Sequence, residues 1–87
     1  MTTQFQKQVK QILSERVSSD KIVCKIDGSL EVKKSYFYRH GYSAEQWAEK
    51  ISLILEEALM RYIQVDSYDD WNDWPKDSYF VALVKES

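Results

Sequence analysis

Apolar residues open the chain at Phe5, Val9, Ile12, Leu13 and Val17. These positions lie on one face of a helix turning once in about 3.6 residues, so residues 2–17 predict an amphipathic helix. Thr3 followed by Gln6 fits a capping box, in which the hydroxyl satisfies an orphan backbone N–H. The helix should give out at Ser18, Ser19 and Asp20, whose short polar side chains compete for backbone hydrogen bonds.

The period then drops to two. Ile22, Cys24 and Ile26 alternate with Lys21, Val23 and Lys25, the pattern of a half-buried strand. Asp27-Gly28 predicts a two-residue hairpin turn, because glycine accepts the positive φ that such a turn demands. The return strand places Leu30, Val32, Lys34, Tyr36 and Tyr38 on one face. Glu31, Lys33, Ser35 and Phe37 fall on the other.

Residues 42–63 return to the helical period. Trp47, Ala48, Ile51, Ile54, Leu55, Ala58, Leu59 and Tyr62 form a broad stripe. Ser43 and Gln46 give a second capping box, and Tyr42 with Trp47 has the spacing of a hydrophobic staple. Glu45 in the first turn and Arg61 in the last would both complement the helix dipole. The unbroken apolar run Tyr79–Val84 predicts a strand with both faces covered or lying centrally. Residues 63–68 offer a shorter strand, which would pair with it across an acidic loop; read as loop, they leave a three-stranded sheet.

The expected fold is α+β, a two-layer sandwich of order αββαβ(β). Its antiparallel sheet has three or four strands, with two helices packed on one face. A ferredoxin-like βαββαβ domain acquires this order if its first strand is moved to the C-terminus.

Composition narrows the class. Eighty-seven residues make one domain, 1–87, and 44% hydrophobic content is enough for a core rather than a disordered chain. Homodimerisation would bury further surface in so small a domain. One cysteine, Cys24, excludes an internal disulfide, and with the single histidine, His40, it gives no normal metal set. No apolar stretch reaches membrane-spanning length, and residues 1–11 lack a signal-peptide apolar core, so a cytoplasmic location is expected.

Net charge is −2, but it is unevenly spread. Residues 1–30 carry five Lys/Arg against three Asp/Glu, and residues 31–42 three against one. Residues 43–63 carry two against four, and residues 64–87 two against six. The chain is dipolar along its sequence.

Two stretches carry candidate chemistry. Residues 33–42, KKSYFYRHGY, interleave aromatics with fixed cations, a composition suited to stacking bases and contacting phosphates. Lys33, Lys34, Phe37, Arg39 and His40 are the nucleic-acid-binding candidates. The competing reading sends Tyr36 and Tyr38 beneath the helices. Residues 66–77, DSYDDWNDWPKD, hold five aspartates and one lysine around Tyr68, Trp71 and Trp74. Tyr68, Asp69, Asp70, Trp71, Asp73, Trp74 and Asp77 form a candidate protein-binding loop, with aromatic anchors and a charge that seeks a basic partner. Its competing reading folds the tryptophans back onto the core. Calcium binding lacks the glycine and distal glutamate of an EF-hand loop.

No phosphate-cradling glycine motif and no nucleophile–base pair with an orienting third group is present. A non-catalytic protein-binding module, regulatory or inhibitor-like and without a cofactor, is therefore the leading expectation. A nucleic-acid-binding domain is the alternative.

Overall fold

The computed structural model describes residues 3–35, 43–73 and 78–86. It has the expected two-layer α+β architecture, with order α1 (Gln4–Leu13), β1 (Ile22–Cys24), β2 (Leu30–Ser35), α2 (Ala44–Leu59), β3 (Gln64–Asp70) and β4 (Tyr79–Lys85). The four strands form one antiparallel sheet in the order β1-β2-β4-β3, so the fourth strand does form.

Both helices lie on one face. Phe5, Val9 and Leu13 of α1 and Trp47, Ala48, Ile51 and Leu55 of α2 share a core with Ile22, Leu30, Val32, Phe80, Ala82 and Val84 of the sheet. The strand residues follow from register: Leu30 faces Val84 and Val32 faces Ala82, so these side chains share the helix-covered side. Trp47 fixes the entry of α2 by donating its indole N–H to the Val32 carbonyl at 2.8 Å.

Both capping boxes form. Thr3 and Ser43 accept from the backbone N–H of Gln6 and Gln46, whose side chains accept from the cap N–H in return. α1 stops at Leu13, earlier than the periodicity predicts. Ser14 turns its hydroxyl onto the Gln11 carbonyl, and the Val17 N–H still reaches Leu13, which keeps Val17 in the core.

The hairpin turn differs from expectation. Gly28 N–H donates to the Lys25 carbonyl and Lys25 N–H to Ser29, so the connection holds three residues, Ile26, Asp27 and Gly28, rather than two. Gly28 sits at φ +94, the left-handed position that closes a three-residue hairpin. Ile26 consequently leaves the strand and is fully exposed instead of half-buried.

α2 also ends sooner. Met60 adopts the left-handed conformation (φ 58), so Arg61 lies beyond the last turn and Tyr62 leaves the apolar stripe for solvent. Arg61 instead lies over the Phe5 ring and 3.8 Å from Glu86. Ala58 is exposed as well, so the buried stripe is narrower than its sequence pattern. Tyr36, Tyr38, Tyr42 and the rest of 36–42 lie outside the described residues.

Gln6 ties these parts together. It is fully buried, and its side-chain amide donates to the carbonyls of Lys25 (2.7 Å) and Ser29 (2.9 Å) while its oxygen accepts from Thr3 N–H. Gln6→Ala should cost about 2–4 kcal/mol in urea denaturation, because three hydrogen bonds of a buried side chain are lost at once. Met60→Gly should add about 0.5–1 kcal/mol by relieving the left-handed backbone. The Asp27 carboxyl is held below its usual value, first by the Ser29 hydroxyl, then by the Ser29 amide and more weakly by Lys25. Its stabilisation is present above the ordinary carboxylate range and lost as pH falls through the lowered value. Asp27→Asn should therefore flatten the dependence of the urea midpoint on pH below about pH 4.

Candidate functional site

The helices cover only one side of the sheet, and the other side carries the most varied chemistry of the described residues. Alternation and register place Val23, Glu31, Leu83 and Asp66 in one row across the four strands. Lys33, Val81 and Tyr68 form the next row, and Ser35, Tyr79 and Asp70 the third. Val81 is 0% exposed although no helix covers it, so the long side chains beside it close over its methyl groups.

The polar groups of this face are arranged rather than scattered. Tyr68 donates its hydroxyl to the Glu31 carboxylate across β4. Lys85 meets Asp66 at 2.8 Å, which lowers the Asp66 carboxyl and raises the Lys85 ammonium from their ordinary values. Near β1 and β2, Lys21 and Lys33 place their ammonium nitrogens 4.9 and 5.3 Å from the centroid of the Tyr79 ring. The face is thus cationic toward β1 and acidic toward β3. On this face the asymmetry is carried by Lys21 and Lys33 on one side and Asp66 and Asp70 on the other.

The acidic candidates occupy the outer edge of the sheet and its end. β3 extends through Asp70, so Tyr68, Asp69 and Asp70 are strand residues and not part of a loop. Asp69 and Asp70 point to opposite faces, Asp69 across from Phe80 and Asp70 across from Tyr79. Trp71 follows directly and is 57% exposed, so its indole does not cap the core. Asn72 and Asp73 are exposed after it, and the base of the loop is closed by Asn72 N–H donating to the Ser78 hydroxyl at 3.0 Å. Trp74 and Asp77 lie outside the described residues.

The basic candidates do not form one patch. Lys33 projects onto the open face, whereas Lys34 points to the helix side, its ammonium 5.3 Å from the Trp47 ring centroid. Phe37, Arg39 and His40 lie outside the described residues. Cys24 is partly buried against the core, as its alternation with Ile22 implies.

Sequence reasoning missed Lys21 and Tyr79 as site residues. Lys21 reads as an ordinary strand-flanking lysine and Tyr79 as the start of an apolar run. The β1–β2 register, which pairs Ile22 with Val32, and the β2–β4 register, which pairs Ser35 with Tyr79, together bring them close.

A concavity of about 590 Å³ lies elsewhere, where the α1 cap meets the hairpin turn. Its lining groups Thr3, Asp27 and Ser29 are engaged in cap and turn bonds. Among the described residues, no group of three or more His, Cys, Asp or Glu is placed to hold a metal ion, and no helix is long and apolar enough to cross a membrane. No protein-family model, no curated protein and no solved structure matches the chain.

Proposed function

We propose that the chain is a small non-catalytic protein-binding module, regulatory or inhibitor-like, that engages a basic partner surface through the acidic end of β3. The observation that carries this reading is the exposure of Trp71 beside Asp69, Asp70 and Asp73. An exposed indole is an anchor of the kind that dominates interface energetics, and carboxylates around it steer a cationic partner into register. Tyr68, two-fifths exposed on the same strand, extends the aromatic surface.

The position of β3 strengthens the reading. It is an edge strand of seven residues with no lysine and no proline. Those are the usual devices that blunt an edge, so its outward backbone groups are accessible to an extended partner segment. Its three aspartates disfavour pairing with a second β3, where like charges would meet. The action would be steric: Trp71 fills an apolar pocket, and Asp69, Asp70 and Asp73 pair with Lys or Arg. Trp74 and Asp77 are the remaining members of the proposed contact set.

The test is Trp71→Ala. Urea denaturation should give a stability within about 0.5 kcal/mol of wild type, as for an exposed side chain. A partner protein retained by the wild-type chain from nuclease-treated host lysate should be lost by the variant. A large drop in stability would make the indole structural and remove the anchor. Retention that vanishes with nuclease and ignores Trp71 would transfer the function to the nucleic-acid reading through Lys33, Lys34, Phe37, Arg39 and His40.

A further inference from the structure

The two lysines that converge on Tyr79 present a different problem from the acidic edge. Lys21 precedes β1 and Lys33 lies on β2, yet both ammonium groups lie over one phenol ring, at 4.9 and 5.3 Å from its centroid. The Lys21 ammonium is also 3.5 Å from the Tyr79 hydroxyl. Like charges gathered on one ring repel each other. The ring quadrupole offsets that repulsion only in part. Among the described residues neither lysine has a carboxylate at ion-pair distance. Both side chains are half-buried, so their convergence is supported by the sheet rather than by solvent-exposed chance.

We infer that Lys21, Lys33 and Tyr79 form a binding site for a single phosphate group. A phosphate dianion neutralises both cations, and its oxygens accept from two ammonium groups and the Tyr79 hydroxyl. The surroundings limit the ligand to one such group. Asp70 lies directly across from Tyr79 on β3, Glu31 lies two positions from Lys33 on the same face, and Asp20 adjoins Lys21. A nucleic-acid strand would carry further phosphates over these carboxylates, whereas an isolated phosphate does not. The site uses none of the residues proposed for partner docking and does not depend on the acidic edge being a docking surface.

Inorganic phosphate is the probe, added to the full chain at constant ionic strength with chloride as the control. The lysine side-chain and Tyr79 ring resonances should shift saturably with phosphate, with a dissociation constant on the order of millimolar. Lys21→Gln with Lys33→Gln should abolish the saturable shift, and Tyr79→Phe should weaken it several-fold, each with the backbone amide spectrum unchanged elsewhere. If the double variant unfolds, Lys21→Gln alone serves, with at least a tenfold loss expected. No saturable shift in the wild type, or a shift that survives the double substitution, overturns the site. A ten-residue oligothymidylate provides the second arm. Binding at Tyr79 more than tenfold tighter than phosphate would overturn the single-phosphate assignment and make a strand the ligand.

Discussion

The buried carboxamide of Gln6 is the joint on which the arrangement of layers depends. An α-helix leaves four N–H groups without partners at its start, and the carbonyls of a tight hairpin keep a second lone pair that the turn's own N–H groups leave unused. Gln6 answers both deficits with one side chain, closing the α1 cap and bonding the Lys25 and Ser29 carbonyls. That fixes where the first helix begins relative to the first hairpin. Phe5, Val9 and Leu13 then join the core shared by Ile22, Leu30 and Val32. An apolar residue in its place would open the α1 cap at Thr3 and leave the Lys25 and Ser29 carbonyls with only their turn partners, the N–H groups of Gly28 and Lys25.

The second half uses the same plan with another clamp. Its capping box, Ser43 with Gln46, is exposed, and the helix is instead anchored by the Trp47 indole on the Val32 carbonyl. The sheet order β1-β2-β4-β3 is unchanged when the two αββ halves are exchanged, so the fold has an approximate two-fold topology about the β2–β4 pair. Charge breaks that symmetry. The β1 edge is three residues long between Lys21 and Lys25, whereas the equivalent β3 edge is seven residues with three aspartates. One edge is too short and too basic to add a strand easily. The other is long, acidic and followed by Trp71.

The helices, the hairpin and the central β4 were legible in the sequence because their signals are local. The S/T-x-x-Q caps name the helix starts, and the period-two runs name the strands. Ends were less legible. Asp27-Gly28 reads as a two-residue turn, yet Asp27 accepts from both the amide and the hydroxyl of Ser29 while Gly28 closes back on Lys25. That bonding favours the longer turn and expels Ile26. Met60 ends α2 in a conformation that glycine usually supplies, so no residue type announces the stop. Trp71 could not be assigned to core or surface from composition, since both a cap and an anchor use the same indole. The Lys21–Lys33–Tyr79 cluster was illegible for a stronger reason. Its three residues are spread from position 21 to position 79, and it exists only through the combined register of β1 on β2 and of β2 on β4.

The same register divides the sheet into a side committed to packing and an open side. The helix side is committed: Phe80, Ala82 and Val84 are consumed by packing, and even Lys34 is drawn over Trp47. Substitution there acts on stability before anything else. The open side has no such duty, yet it is not an ordinary solvated surface. Val81 is sealed within it, Tyr68 is bound to Glu31, and Asp66 is matched by Lys85. These contacts engage the middle of the face, Asp66 through an ion pair and Glu31 through a hydrogen bond. What they leave unbalanced is Lys21 with Lys33 at one end and Asp70 with the residues after it at the other. A partner that recognises this protein by charge must therefore address the ends of the face, and the two ends call for ligands of opposite sign.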